Sequence, residues 1–206
     1  MTKSSKDTQR RRLYRFLLLL ALAYAVVTPI WWLISPWYSQ VLCFAGNTLL
    51  DGLPFTGDAL DYSYENGQIK CSIEFNAVNP QKNKQLRLRA EPFWEGRLLH
   101  FGFSIWVALI LATPCRSYKV RARLFLIGWG VLFVGQLAAL YLQTLEAKAR
   151  TLQQLAELEG YELPGLQQYL LAWGGRFFMR IGNKLLPIVV WLIIGLPSMI
   201  RLDRKK

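Results

Sequence analysis

The chain has a single histidine and three cysteines among 206 residues, and only 18% of its side chains are charged. Each shortage excludes something. Three scattered cysteines and one histidine do not form a zinc-type ligand spacing, so no metal site is expected, and no cofactor. Any imidazole chemistry would have to run through His100, which sits in "RLLHFGFSIWVALILATPCRSYKVRAR" (97–123), where a polar stretch gives way to an apolar one. No charge lies deep within the apolar runs, so an ion or proton pathway has no residues to follow, which weakens a transporter reading. A chain this poor in charge is too apolar for an ordinary soluble domain.

What the chain does have is hydrophobic residues, 53% of the total, gathered in blocks. Crossing a hydrocarbon core takes about 20 apolar residues. On that basis residues 16–35, 98–115, 124–142 and 185–200 are expected to be transmembrane helices. The second is short unless Leu98 and Leu99 are counted, and the fourth extends backwards through "RFFMRIGNK", whose basic side chains can snorkel to the interface. "ALAYA" offers a signal-peptidase site behind a basic segment, but cleavage there leaves only Phe16 to Leu20 as the apolar core. The run continues through "VVTPIWWLI", which favours an uncleaved anchor. The arginines of "RRRLYRFL" read as topology determinants rather than a twin-arginine signal.

Charge then sets the orientation. Residues 1–15 carry six Lys/Arg, residues 116–123 four and residues 201–206 four, against two acids, Asp7 and Asp203. Everything else is neutral overall, so the net charge of +12 belongs to one face, the cytoplasmic one by the positive-inside rule. Both termini are expected in the cytoplasm. The basic pI is thereby accounted for by topology and anionic lipid, with no nucleic-acid surface left to explain.

Residues 36–97 form the first outer segment. "ALDYSYENGQIKCSIEFNA" alternates apolar and polar residues on either side of Asn66-Gly67, the strongest short hairpin signal, and "KQLRLRAEP" supplies a third strand. A two-stranded hairpin is marginal, so a three-stranded meander resting on the membrane surface or a partner is expected. Before it, "YSQVLCFAGNTLLDGLP" reads as a short amphipathic helix on the outer leaflet, with Val41, Leu42, Ala45, Leu49 and Leu50 as its stripe. The second outer segment, residues 143–184, reads as a helical hairpin. "LQTLEAKARTLQQLAELEG" continues the third span with apolar residues at 142, 145, 149, 152 and 156, and projects by roughly 25 Å. Gly160, Pro164 and Gly165 turn the chain, and "LQQYLLAWGGRFFMR" returns. Such an arm can offer an assembly surface or pack only on its own return.

Cys43 and Cys71 fall on the outer side, where they either pair as a disulfide or remain free and half-buried; Cys115, at the cytoplasmic edge, is expected to stay reduced. A hydrolase using either outer thiol with His100 lacks any local signature, and His100 reads as an interface residue whose ring sits at the headgroup level. Within the third span Gln136 needs a polar partner and should face another helix. Gly128, Gly135 and Ala139 lie near it, and the small pair Gly135/Ala139 permits close packing, either inside this chain or along a seam with a partner.

The basic first span ending in "WWLISPWYSQVLCFAGNTLL", the strand-rich outer segment and its run into "GFSIWVALILATP" resemble the exosortase H-associated membrane proteins of bacteria. The resemblance covers mainly residues 13–123 and rests on layout and on the "VALILATP" end of the second span. It implies an accessory protein of an envelope system that sorts surface-bound proteins by cutting a C-terminal membrane-anchored signal. Exosortases cut with membrane-embedded Cys, Arg and His. Here Cys115 and Arg116 are expected on the opposite face from His100, so no catalytic role is carried over. The expected function is non-catalytic binding of a membrane enzyme, such as an exosortase-like protease, or of its substrate. An auxiliary subunit of an envelope transporter is the alternative, and a Cys/His membrane hydrolase a more distant one.

Overall fold

The computed structural model describes residues 3–51, 53, 59–79, 82, 84–96, 100–114, 117–159 and 165–195. The pair Cys115–Arg116, the turn residues Gly160 to Pro164 and the basic segment 201–206 lie outside the described residues. The elements run α1 (Lys3–Leu49), β1 (Ala59–Glu65), β2 (Gln68–Asn79), β3 (Lys84–Ala90), β4 (Phe93–Glu95), α2 (Phe101–Ala112), α3 (Tyr118–Glu159) and α4 (Leu166–Phe177). A π-helical turn (Phe178–Gly182) then leads directly into α5 (Asn183–Ile194). The protein is therefore mostly helical, with one small antiparallel sheet. Among the described residues two helices are long and apolar enough to cross a membrane, Leu13–Leu49 and Tyr118–Glu157. At 12 residues each, α2 and α5 rise about 18 Å, short of a hydrocarbon core by themselves.

The chain divides into two compact units. The first draws on Met1–Ile34, His100–Leu132 and Lys184–Lys206. Its helices are joined by large rings: Trp31 stacks on Phe103 with centroids 5.1 Å apart, Phe16 on Trp191 at 5.6 Å, and Tyr24 meets Phe101 edge-on. Trp106 is fully buried against Gly128, where a Cβ would come within 1.9 Å of the indole, so only glycine admits the ring. The end of α2 is tied by Thr113, whose Oγ1 donates to the Leu109 carbonyl (2.6 Å) and accepts from Trp191 Nε1 (2.8 Å). Away from these contacts, Leu18, Leu22, Val26, Ile30 and Leu33 of α1 all point outward, the arrangement expected where lipid rather than water is the solvent.

His100 departs from its expected position. It precedes α2, its carbonyl accepts the Phe103 N–H at 3.0 Å, and its side chain is fully buried rather than at a headgroup-level surface. Opening a helix inside a packed unit encloses the ring on all sides.

The second unit draws on Ser35–Leu99 and Phe133–Asn183. The hairpin forms where the sequence places it: Asn66 and Gly67 both adopt positive φ (52° and 83°), as a two-residue turn of the primed type requires. β2 is the central strand, with β1 on one side and β3 and β4 on the other. The register Ile73↔Ala90 continues unshifted through Lys70↔Phe93, and the Pro92 carbonyl accepts the Cys71 N–H at 2.9 Å. β3 and β4 are thus one edge strand interrupted at Glu91–Pro92. Pro92 faces β2 but has no N–H to give to the ladder, so the rung at Cys71 is made by the proline carbonyl alone and the strand is interrupted there.

Period-two alternation sorts the faces. Ile69, Cys71, Ile73, Phe75 and Ala77 of β2 are buried together with Leu60 and Tyr62 of β1 and Ala90 of β3. They pack on Leu42, Cys43 and Leu50 from one end of α1 and on Leu137, Leu140 and Leu152 of α3. The opposite face carries the ion pairs Arg87–Glu74 and Lys70–Glu65. The meander therefore rests on helices of its own chain.

This packing also corrects the expected interfacial helix. Residues 36–49 do not form a separate element but continue α1. The buried positions are Ser35, Tyr38, Ser39, Leu42, Cys43 and Gly46, while Val41 and Leu49 point outward. The stripe is rotated because its cover is the sheet and not lipid. Gly46 lies on it because the Tyr62 ring occupies the space a Cβ would take.

Candidate binding cleft

Asn47 at the end of α1 closes the β1 edge. Its amide accepts the Tyr62 N–H (2.6 Å) and donates to the Tyr62 carbonyl (2.9 Å), standing in for a neighbouring strand. The Tyr62 ring crosses the core, and its hydroxyl pairs with Thr144 Oγ1 at 2.6 Å, Thr144 donating in turn to the Leu140 carbonyl.

The other edge opens onto a cleft of about 630 Å³. One wall is the edge strand from Ala90 to Trp94; the other is α3, through Gln143, Glu146, Ala147, Arg150 and Thr151, with Arg176 of α4. Spacings of three and four residues put the α3 side chains on one helical face. Glu146, only 12% exposed, accepts hydrogen bonds on one oxygen from both Arg150 Nη2 and Arg176 Nε. Two guanidiniums share one carboxylate, so this wall retains a net positive charge. Gln143 is 6% exposed, and its Oε1 is buried without a hydrogen-bond partner.

The outer surface of the cleft is the edge strand's backbone. In the ladder Pro92 and Gly96 face β2, through the bonds of the Pro92 carbonyl and the Gly96 N–H. Alternation then turns the Phe93 N–H and C=O away from β2.

The thiols lie elsewhere. Cys43 and Cys71 are both free and buried in the core between sheet and helices, so the disulfide alternative is not formed in the structure. Burial pushes the Cys71 thiol up to about 12, although bonds with Thr144 and Tyr62 pull the other way. Such a thiol is a poor nucleophile. Among the described residues no cluster of His, Cys, Asp or Glu could hold a metal ion.

The expected packing seam is placed as follows. Gly128 is covered by Trp106, Gln136 and Ala139 are buried, and Gly135 is half-buried. Gly128, Gln136 and Ala139 are thus covered by the chain's own packing.

The model of the exosortase H-associated membrane proteins matches residues 10–195. The chain belongs to this family. The match runs well past the span-and-sheet layout that suggested it and takes in both walls of the cleft and α5. No curated protein and no solved structure matches the chain. The family description makes the chain a membrane protein associated with exosortase H.

The sequence reading missed the cleft. It followed the apolar positions of α3 and passed over the polar stripe at 143, 146, 147, 150 and 151 beside them. The Glu146/Arg150 pair in a helix otherwise rich in leucine and glutamine was the available signal.

Proposed function

We propose that the protein is a non-catalytic accessory subunit of an exosortase-type sorting system in the bacterial inner membrane, where it binds the membrane enzyme or that enzyme's substrate. The observation that carries this reading is the family match across residues 10–195. In this reading the chain crosses the membrane four times with both termini in the cytoplasm. The sheet and its cleft then lie on the outer side, where the signal to be cut emerges.

The three basic clusters support that orientation. The helical run from Leu166 through the π-turn to Ile194 supports a last span that extends backwards. A hydrolase working through Cys71 fits less well, since a buried thiol with a raised pKa offers little thiolate near neutral pH.

The test is a pull-down with the tagged full-length protein in mild detergent, paired with a deletion strain. Recovery of an exosortase, and accumulation of unsorted precursor after deletion, are expected. Normal sorting in the deletion strain together with recovery of the bait alone would overturn the reading.

A further inference from the structure

We infer that the cleft beside β4 takes an extended segment of another polypeptide, added to the sheet as a short strand and held through an acidic side chain. Two independent features of the cleft converge on this. The Phe93 N–H and C=O face outward from the sheet edge, and main-chain bonds to such an edge are how extended peptides are captured. Along a strand lying there, alternate side chains turn toward α3 and α4. On that side Arg150 and Arg176 share the single carboxylate of Glu146, and both guanidiniums are substantially exposed (side chains 60% and 45%), with donors left over for a second carboxylate. A guest peptide with an acidic side chain brings the missing part, an anionic acceptor for the arginines.

Charge distinguishes this guest from an arbitrary hydrophobic one. A neutral apolar segment would cover the guanidinium donors that Glu146 leaves unused without pairing them, which disfavours its binding.

The inference rests on the accessory reading, narrowing it to the binding of a peptide, and its test is separate. Fluorescein-labelled 12-residue peptides of Val and Thr with a single central Glu, and their Gln twins, are titrated by anisotropy against full-length protein in neutral nanodiscs at low salt. The Glu peptide is expected to bind about tenfold or more tighter than its twin. Arg176→Gln should remove most of that preference. N-methylation of alternate peptide bonds should abolish binding.

Equal affinity for the Glu and Gln twins would overturn the inference. So would binding confined to anionic vesicles, which would assign the arginines to lipid headgroups. An exosortase recovered in the pull-down by a protein that ignores acidic peptides would sink this inference and leave the accessory reading standing.

Discussion

The hydroxyl of Tyr62 meets that of Thr144 at 2.6 Å in the middle of the core of the second unit, joining strand β1 to helix α3 across 82 residues of sequence. Both groups are buried, so this bond is made away from competing water. Tyr62→Phe and Thr144→Val should each lower stability by about 1 kcal/mol. Because they break the same bond, the double variant should cost clearly less than the sum of the two. Thermal or denaturant unfolding in detergent, run as a double-mutant cycle, checks this.

Gly128 faces the Trp106 indole so closely that any side chain must displace the ring. Gly128→Ala is expected to cost about 1–3 kcal/mol through overpacking, and Gly128→Val more. Adding Trp106→Leu should recover part of the loss in Gly128→Val. Absence of any destabilisation in the alanine variant would show that these two helices are not in contact in the membrane.

Cys71 should be silent toward thiol reagents at pH 8 in the folded protein and react once the chain is unfolded. Its folded-state pKa of about 12 lies above the ordinary value of 9.0, so the contribution of the buried neutral thiol is complete below about pH 9. As pH rises from there toward 12 the unfolded thiolate is favoured and stability falls. Cys71→Ala should flatten the stability-versus-pH curve over that window relative to the parent protein.

Asn47 supplies two hydrogen bonds to the Tyr62 backbone and a third, at 3.2 Å, to Asp61. Asn47→Ala leaves the outward N–H and C=O of Tyr62 without that partner and should cost about 1–3 kcal/mol. Asn47→Asp keeps the acceptor but sets a carboxylate against the Tyr62 carbonyl and Asp61, so it should cost at least as much as the alanine variant. Amide exchange at Tyr62 should quicken in the alanine variant.

The hairpin and the third strand were legible in the sequence because their signals are local: period-two alternation, and a dipeptide that tolerates positive φ. β4 was not, since three residues behind a proline have no pattern of their own and become a strand only by inheriting the register of β3. The extent of α1 was misjudged for a related reason. Composition changes near Ser35-Pro36, but packing against the sheet keeps the chain helical to Leu49 and selects Cys43 and Gly46 as contact positions in place of Val41 and Leu49. His100 was expected at an interface because it borders an apolar run, a cue that cannot tell an edge of the membrane from the start of a buried helix. The cleft joins Ala90–Trp94, one face of α3, and Arg176. Nothing in a linear reading brings those three stretches together.

Because the amide of Asn47 plugs one margin of the sheet at its centre, the ladder is open toward only one newcomer. A second copy that leaned on β4 would present its own plugged margin or its own occupied one, and the chain of rungs would end there. A sheet bordered in this way ends after one added strand, which spares it the runaway stitching that sheets with two bare borders invite.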